Sequence, residues 1–334
     1  MNAKKRLLNA LSLQKIDRMP IAGLITSVCS ESMEKSGFSF PDAHKKADDM
    51  AGLAAAAYEV MGLETVKVPF GMTVEAEALG AIIEFGGKDN FPQVKTKANT
   101  NIINTEINLE DQARVRVLLD AIRILKEKYN NKLVVASAVI GPLSLLSMLF
   151  GLSEIFMLMM DNKSKFKEYM HFSTEVAIKH ARLQIEAGTD VIQIGEAAAS
   201  GDLIGPLTYK ELIFPYHKKL CEEIDIPVVL HICGNISSHS FYIKDLAIQG
   251  FSFDEKSDIN ILKENFAGKI SLIGYVPTSL LLNGTPSEIY SASIECINNG
   301  VDVLNAGCAL PLSTPIKNVK AMVKAVKEYK KEAV

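Results

Sequence analysis

Val228-Val229-Leu230-His231-Ile232-Cys233-Gly234-Asn235 is the stretch from which the rest of this chain is read. It opens as a buried strand, with three apolar residues, two of them β-branched, directly after Pro227. Alternate residues of a strand share a face, so His231 and Cys233 aim at one point if the strand runs that far. Gly234 then permits a sharp exit. Imidazole nitrogen and thiolate sulfur are preferred donors for zinc. A His-x-Cys pair alone is a weak signal, because a buried His or Cys is usually just packed or hydrogen-bonded. A second run adds weight: Asp302-Val303-Leu304-Asn305-Ala306-Gly307-Cys308 also reads as a strand that ends in a glycine and a cysteine. If both strand ends lie on one rim of the same sheet, three ligands converge.

Outward from this strand the chain alternates between two periodicities. Strand-like runs fall at 21–24, 65–69, 133–137, 190–194, 227–231, 251–254, 270–274 and 301–305. Helical spacing fills 3–14, 44–61, 110–129, 165–187, 208–224, 237–249, 258–266, 286–299 and 315–331. Glu186-Ala187-Gly188-Thr189-Asp190 and Asn298-Asn299-Gly300-Val301-Asp302 are parallel helix–Gly–Asp–strand junctions, where glycine supplies the left-handed helix end. Residues 71–108 break the alternation. Ile82-Ile83-Glu84-Phe85 before Gly86-Gly87 reads as one arm of a small hairpin insertion, and a polar loop from Thr96 to Asn108 follows. Eight strands alternating with helices predict an α/β fold, a (β/α)8 TIM barrel spanning residues 1–334 as one domain with an N-terminal helical segment. No G-x-G-x-x-G follows any strand, which disfavours a dinucleotide fold.

A TIM barrel works at the C-terminal ends of its strands. His231 and Cys233 end the fifth expected strand, and Cys308 follows the eighth. Glu196 follows the fourth, and Asp254 and Glu255 end the sixth. All of these polar residues fall on one rim.

Composition narrows the class. Hydrophobic residues make up 48% of the chain, enough for a sizeable core. A formal charge of −3 gives no basis for nucleic-acid binding. Five cysteines, an odd number, and an N-terminus without a long apolar run point to free thiols in a reducing cytoplasm. Between Leu133 and Met160 the one charge is Glu154, which a hydropathy window can mistake for a membrane span. Gly141-Pro142 interrupts it, so the reading is a buried strand followed by a short core helix from Ser153, and no membrane partner.

Arg18-Met19-Pro20, Ile140-Gly141-Pro142, Ala199-Ser200-Gly201-Asp202, His231-Ile232-Cys233-Gly234-Asn235 and Gly307-Cys308 resemble the methylcobamide:coenzyme M methyltransferases of the uroporphyrinogen decarboxylase superfamily. The resemblance covers nearly the whole chain. The His-x-Cys-Gly-Asn with the late Gly-Cys is its specific part. It implies a TIM barrel with zinc held by His231, Cys233 and Cys308. It also implies a methyl-corrinoid carried by a separate protein that docks at the C-terminal face of the barrel, and a small thiol acceptor, coenzyme M. Glu255, in the acidic pair before Lys256, is the candidate for a displaceable fourth ligand, with Asp254 or Glu196 as alternatives. The chain departs from the family where Gly195-Glu196-Ala197 stands in place of an Asp-Pro pair, so Glu196 is a candidate catalytic carboxylate. Asn235 and Asn305 are candidates to hydrogen-bond substrate, or else close turns.

Three other readings stay open: a different acceptor or methyl donor on the same zinc barrel, a porphyrinogen decarboxylase, and a non-catalytic barrel that only binds a corrinoid protein. The decarboxylase is disfavoured because the first strand, Ile-Ala-Gly-Leu-Ile-Thr-Ser, lacks the arginines that a polycarboxylate needs. Cys29, Cys221 and Cys296 are read as packing residues, and His44, His171, His180, His217 and His239 as surface or helix-end residues. Met157, Met159 and Met160 are read as core.

Overall fold

Parallel strands covered on both faces need apolar side chains in both directions. Val134–Ile140 meets that need with Val-Val-Ala-Ser-Ala-Val-Ile, buried at every position but one. The computed structural model describes residues 1–105 and 108–329. In chain order its strands are β1 (Thr65–Val68), β2 (Ile82–Glu84), β3 (Gln93–Thr96), β4 (Val134–Ile140), β5 (Val191–Gly195), β6 (Val228–His231), β7 (Gly250–Ser252), β8 (Ser271–Val276) and β9 (Val303–Ala306). Seven of them form one parallel sheet in the order β1-β4-β5-β6-β7-β8-β9, and β2 pairs with β3 as the expected antiparallel hairpin.

The first expected strand is reduced to one parallel bridge, Ile21 to Leu304. The reason lies in where its amides go. Gly23 N donates to Thr65 Oγ1 at 2.7 Å and Leu24 N to Asn305 Oδ1 at 3.1 Å, so side chains take bonds that a ladder would use. The segment still fills the eighth place in the ring. Ala22 N bonds Leu304 O at 3.0 Å on one side, and Glu64 N bonds Ile21 O at 2.9 Å on the other.

Helix Ala3–Leu11 plugs the floor. Its Leu7, Ala10 and Leu11 pack with Ala22, Leu24, Val134, Val191, Val229, Ile273 and Val303, the lower rung of the barrel interior. Arg6 beside them is buried yet paired, with Asp17 at 2.7 Å and Glu64 at 3.1 Å. The two Gly–Asp junctions do the same work. Gly188 and Gly300 stand at φ +105° and +94°. Asp190 Oδ2 then accepts from Val135 N at 3.0 Å, and Asp302 Oδ2 from Leu272 N at 2.8 Å, each carboxylate holding the start of a neighbouring strand.

Several helices differ from expectation. Helix 237–249 is only Ser240–Ile243, in keeping with Ser237, Ser238 and Ser240, whose hydroxyls compete for backbone groups. Helix 208–224 becomes Pro206–Thr208, a π-turn at Tyr209–Ile213, and Phe214–Glu222, because Pro215 has no N–H to carry the ladder through. The core helix after β4 is Pro142–Phe150, which lies N-terminal to the expected one. Leu152–Asp161 buries only Ile155 and Met159, and Met157 and Met160 are exposed. Among the described residues no single helix is long and apolar enough to cross a membrane; the bent pair Pro142–Phe150 and Leu152–Asp161 turns through 112° at Gly151. The last helix is Ile316–Glu328, and the expected end at 331 lies outside the described residues.

Candidate metal centre

β6 delivers His231 to the rim, and the next residues turn hard. Gly234 has φ +82°, and a Cβ there would stand 2.1 Å from Ser200 Oγ. At Gly201 a Cβ would stand 1.9 Å from Asn235 O. The loops after β5 and β6 thus interlock at a distance that only glycine allows. Asp254, just past β7, accepts from Gly234 N through Oδ2 at 2.6 Å and fixes the turn from the other side. At β9, Gly307 N bonds Val276 O at 2.9 Å, which holds the chain against β8 before Cys308 turns in.

The result is convergence. A ring nitrogen of His231 and the sulfurs of Cys233 and Cys308 all lie within 4.8 Å of one another. The β6–β7 register sets His231 beside Ser252, and His231 Nδ1 is 3.1 Å from Ser252 Oγ. His231 Nε2 is buried and has no hydrogen-bond partner. A buried ring nitrogen left alone costs about 1–3 kcal/mol, so its position beside two thiols calls for an occupant. The Cys308 thiol, donating to Cys233, and then His231 hold the Cys233 thiol well below the ordinary range. Its partner is pushed up by the same hydrogen bond and by burial. Two adjacent sulfurs that share a proton, beside a free imidazole nitrogen, are the donor set of a Cys2His zinc site.

The other candidates are placed as follows. Glu196 is fully buried behind the rim. Its carboxylate accepts from Leu143 N at 3.2 Å and Ser144 N at 2.7 Å, the first turn of helix Pro142–Phe150, and is 2.9 Å from His217 Nε2. Glu255 is exposed on the lip, near Gly307, and is not among the three clustered ligands. Asn305 is buried with both amide ends engaged, accepting from Leu24 N and donating to Ala306 O at 2.7 Å. Asn235 is exposed and accepts from Ser237 N at 3.1 Å, which closes a turn. Cys29, Cys221 and Cys296 are buried, as packing residues should be.

The histidines correct the sequence reading. His44, His180, His217 and His239 are fully buried, and of the five read as surface or helix-end residues only His171 is exposed. Helical periodicity gave each a place on a helix but not the face it occupies. His217 Nδ1 meets Tyr209 OH at 3.0 Å, which completes a buried Tyr–His–Glu chain with Glu196. His180 Nδ1 meets Glu75 at 2.9 Å. His44 stacks on Phe40 at 4.1 Å.

The three ligands open into a cavity of about 310 Å³. Its walls are mostly apolar, from Met72, Phe91, Met148, Val139 and Ile140, with Gln193 and Lys67 as polar groups. Lys67 was legible in Thr65-Val66-Lys67-Val68 as a lysine between two valines of a strand. Val66 and Val68 pack outward against the helix side, so Thr65 and Lys67 face the barrel interior. Among the described residues that line the cavity it is the one lysine, and there is no arginine.

Comparison with known proteins follows the same lines. Residues 2–329 match the uroporphyrinogen decarboxylase (URO-D) family model. The chain is 34% identical, over 98% of both sequences, to the methylcobamide:CoM methyltransferase MtbA of Methanosarcina acetivorans. It is 32% identical, again over 98% of both, to the methylcobamide:CoM methyltransferase MtaA of Methanosarcina barkeri. A solved methyltransferase from Methanosarcina mazei superposes with a TM-score of 0.94 at 31% identity, covering 98% of this chain and 99% of that one.

Proposed function

The chain belongs to the methylcobamide:CoM methyltransferase family within the uroporphyrinogen decarboxylase superfamily, and on that premise we propose that it is a zinc enzyme that moves a methyl group from a methyl-corrinoid protein to the thiol of coenzyme M. The observation that carries this reading is the unpartnered Nε2 of His231 beside two thiols at the wall of an apolar cavity. His231, Cys233 and Cys308 would hold the metal. A zinc ion bound there removes the proton of a coordinating thiol, so the acceptor is held as the nucleophilic thiolate at neutral pH.

The chain's own residues do the rest. Cys233 and Cys308 as thiolates cancel the charge of the dication, and neutral His231 adds none, so the acceptor sulfur stays electron-rich. Ser252 holds Nδ1 of His231, which leaves Nε2 as the donor. Glu255 at the lip is the candidate for a weak fourth ligand that yields to the incoming thiol. Glu196, tied to a helix start and to His217, positions the wall of the cavity. The apolar wall keeps water from competing with the sulfur. The sulfur–carbon bond forms as the cobalt–carbon bond breaks, and the electron pair stays on cobalt. The corrinoid arrives on its own protein over the C-terminal rim, where Leu203 and Leu207 in the loop after β5 are exposed.

The cavity's lack of arginine among the described residues speaks against a tetrapyrrole polycarboxylate as substrate. The test is an assay of methylcobalamin demethylation with a panel of thiols and folates. Methyl transfer to coenzyme M, abolished by metal removal and restored by zinc, is the expected result. Transfer to none of the thiols by the zinc-loaded protein would end this reading.

A further inference from the structure

We infer that Lys67 is an anion-binding group of the same cavity, so that the acceptor carries a negatively charged group, sulfonate-like or carboxylate-like, at the end opposite its thiol. This inference rests on the reading of the cavity as an acceptor site.

Four observations carry it. Lys67 is only 7% exposed, and what it faces is the cavity that holds His231, Cys233 and Cys308. Its Nζ has two partners, Thr26 Oγ1 at 3.4 Å and Pro69 O at 3.3 Å; both are neutral and both are distant for a charged donor. The nearest carboxylate that acts on it, Glu75, is already engaged by His180 and by Ile140 N at 2.9 Å each. Burial alone pushes the Lys67 ammonium down to about 8, so it is still mostly charged at neutral pH but poorly compensated.

A buried cation without a carboxylate partner is costly to keep, and structural lysines are paired or reach solvent. An incoming anion would supply the missing partner. Thr26 Oγ1 and the Gln193 side chain line the same cavity and can donate to its other oxygens. The mostly apolar remainder of the wall then suits a short carbon chain between the anion and the sulfur. A cavity of about 310 Å³ has room for a ligand of that size and not for a cofactor-sized thiol.

The experiment is equilibrium binding by calorimetry to the zinc-loaded full chain, using 2-mercaptoethanesulfonate, 2-mercaptoethanol, cysteamine and thiol-free ethanesulfonate. The wild type should bind the sulfonate thiol about tenfold or more tighter than the neutral thiol, and cysteamine weakest. Lys67→Met, which keeps the stem and removes the charge, should bring the sulfonate and neutral thiols to equal affinity, and Lys67→Arg should keep much of the difference. Ethanesulfonate should compete with the sulfonate thiol in the wild type and not in Lys67→Met. An unchanged sulfonate preference in Lys67→Met would overturn the inference. Should that variant fail to fold, equal affinity of the wild type for the sulfonate, neutral and ammonium thiols would overturn it as well. Ethanesulfonate binding that depends on Lys67, in a protein that transfers no methyl group to any thiol, would refute the methyltransferase reading and leave the anion site standing.

Discussion

Two buried imidazoles sit behind the same rim and meet opposite fates. His217 has both nitrogens engaged, Nδ1 by Tyr209 and Nε2 by Glu196. His231 has Nδ1 held by Ser252 and Nε2 by nothing. The first arrangement is finished within the protein and the second is not. An unpaired nitrogen does not mark a site by itself, since His44, His180 and His239 also leave nitrogens without partners. What sets His231 apart is that two thiols converge on it. A functional centre shows itself as matched donors left without a partner, whereas a structural network closes on itself.

The sharpest way to break this contrast is to remove a donor from each region. Ala at His231, Cys233 or Cys308 should lower zinc affinity by more than about 100-fold, beyond the usual effect of an outer-shell change, and leave the barrel folded. Atomic absorption after gel filtration, with circular dichroism as the fold check, decides it. Full zinc retention in Cys308→Ala would remove the convergence on which the contrast depends. Glu196→Ala should do the reverse. It strips the partner from buried His217 and the acceptor from two helix amides, so stability should drop by roughly 3–5 kcal/mol with zinc still bound. Zinc loss at unchanged stability would move Glu196 into the metal centre.

Acid should separate the two kinds of histidine further. Burial, then the positive charges of Arg114 and Lys45, hold His44 at about 3, and burial holds His239 at about 4, against an ordinary 6.5. Below 6.5 the unfolded chain therefore binds more protons than the folded one. Stability should fall as pH drops from 6.5 towards those values, by up to about 1.4 kcal/mol per pH unit for each residue. Urea unfolding at a series of pH values should show the slope, and His44→Phe, which keeps the stack on Phe40, should reduce it. An identical acid slope in His44→Phe would show that His44 titrates normally. The smallest effect belongs to Ser252→Ala, which frees His231 to rotate and should weaken zinc about 10-fold while the thiols remain. No change would mean that the β6–β7 register, not the hydroxyl, orients the ring.

Much of the barrel was legible because its signals are local. Glycine–aspartate junctions, β-branched runs and alternating helices mark seven of the eight staves within a few residues. The eighth, Ile21–Leu24, was not legible as a single bridge, because its amides bond side chains distant in sequence, Thr65 and Asn305. The convergence of His231, Cys233 and Cys308 followed from strand alternation and the shared rim. Lys67 and the buried histidines escaped because helix or strand periodicity does not say what covers each face. Ser252 joined the site only through the β6–β7 register, which no local pattern encodes.

The most direct test is X-ray absorption at the zinc edge, before and after saturation with coenzyme M. The Cys233 and Cys308 sulfurs with His231 predict two sulfur neighbours in the resting protein. The acceptor's thiolate should raise the count to three, with close to one proton released per site at neutral pH. A sulfur count that stays at two on saturation would contradict direct binding of the thiol, and with it the catalytic role of the centre.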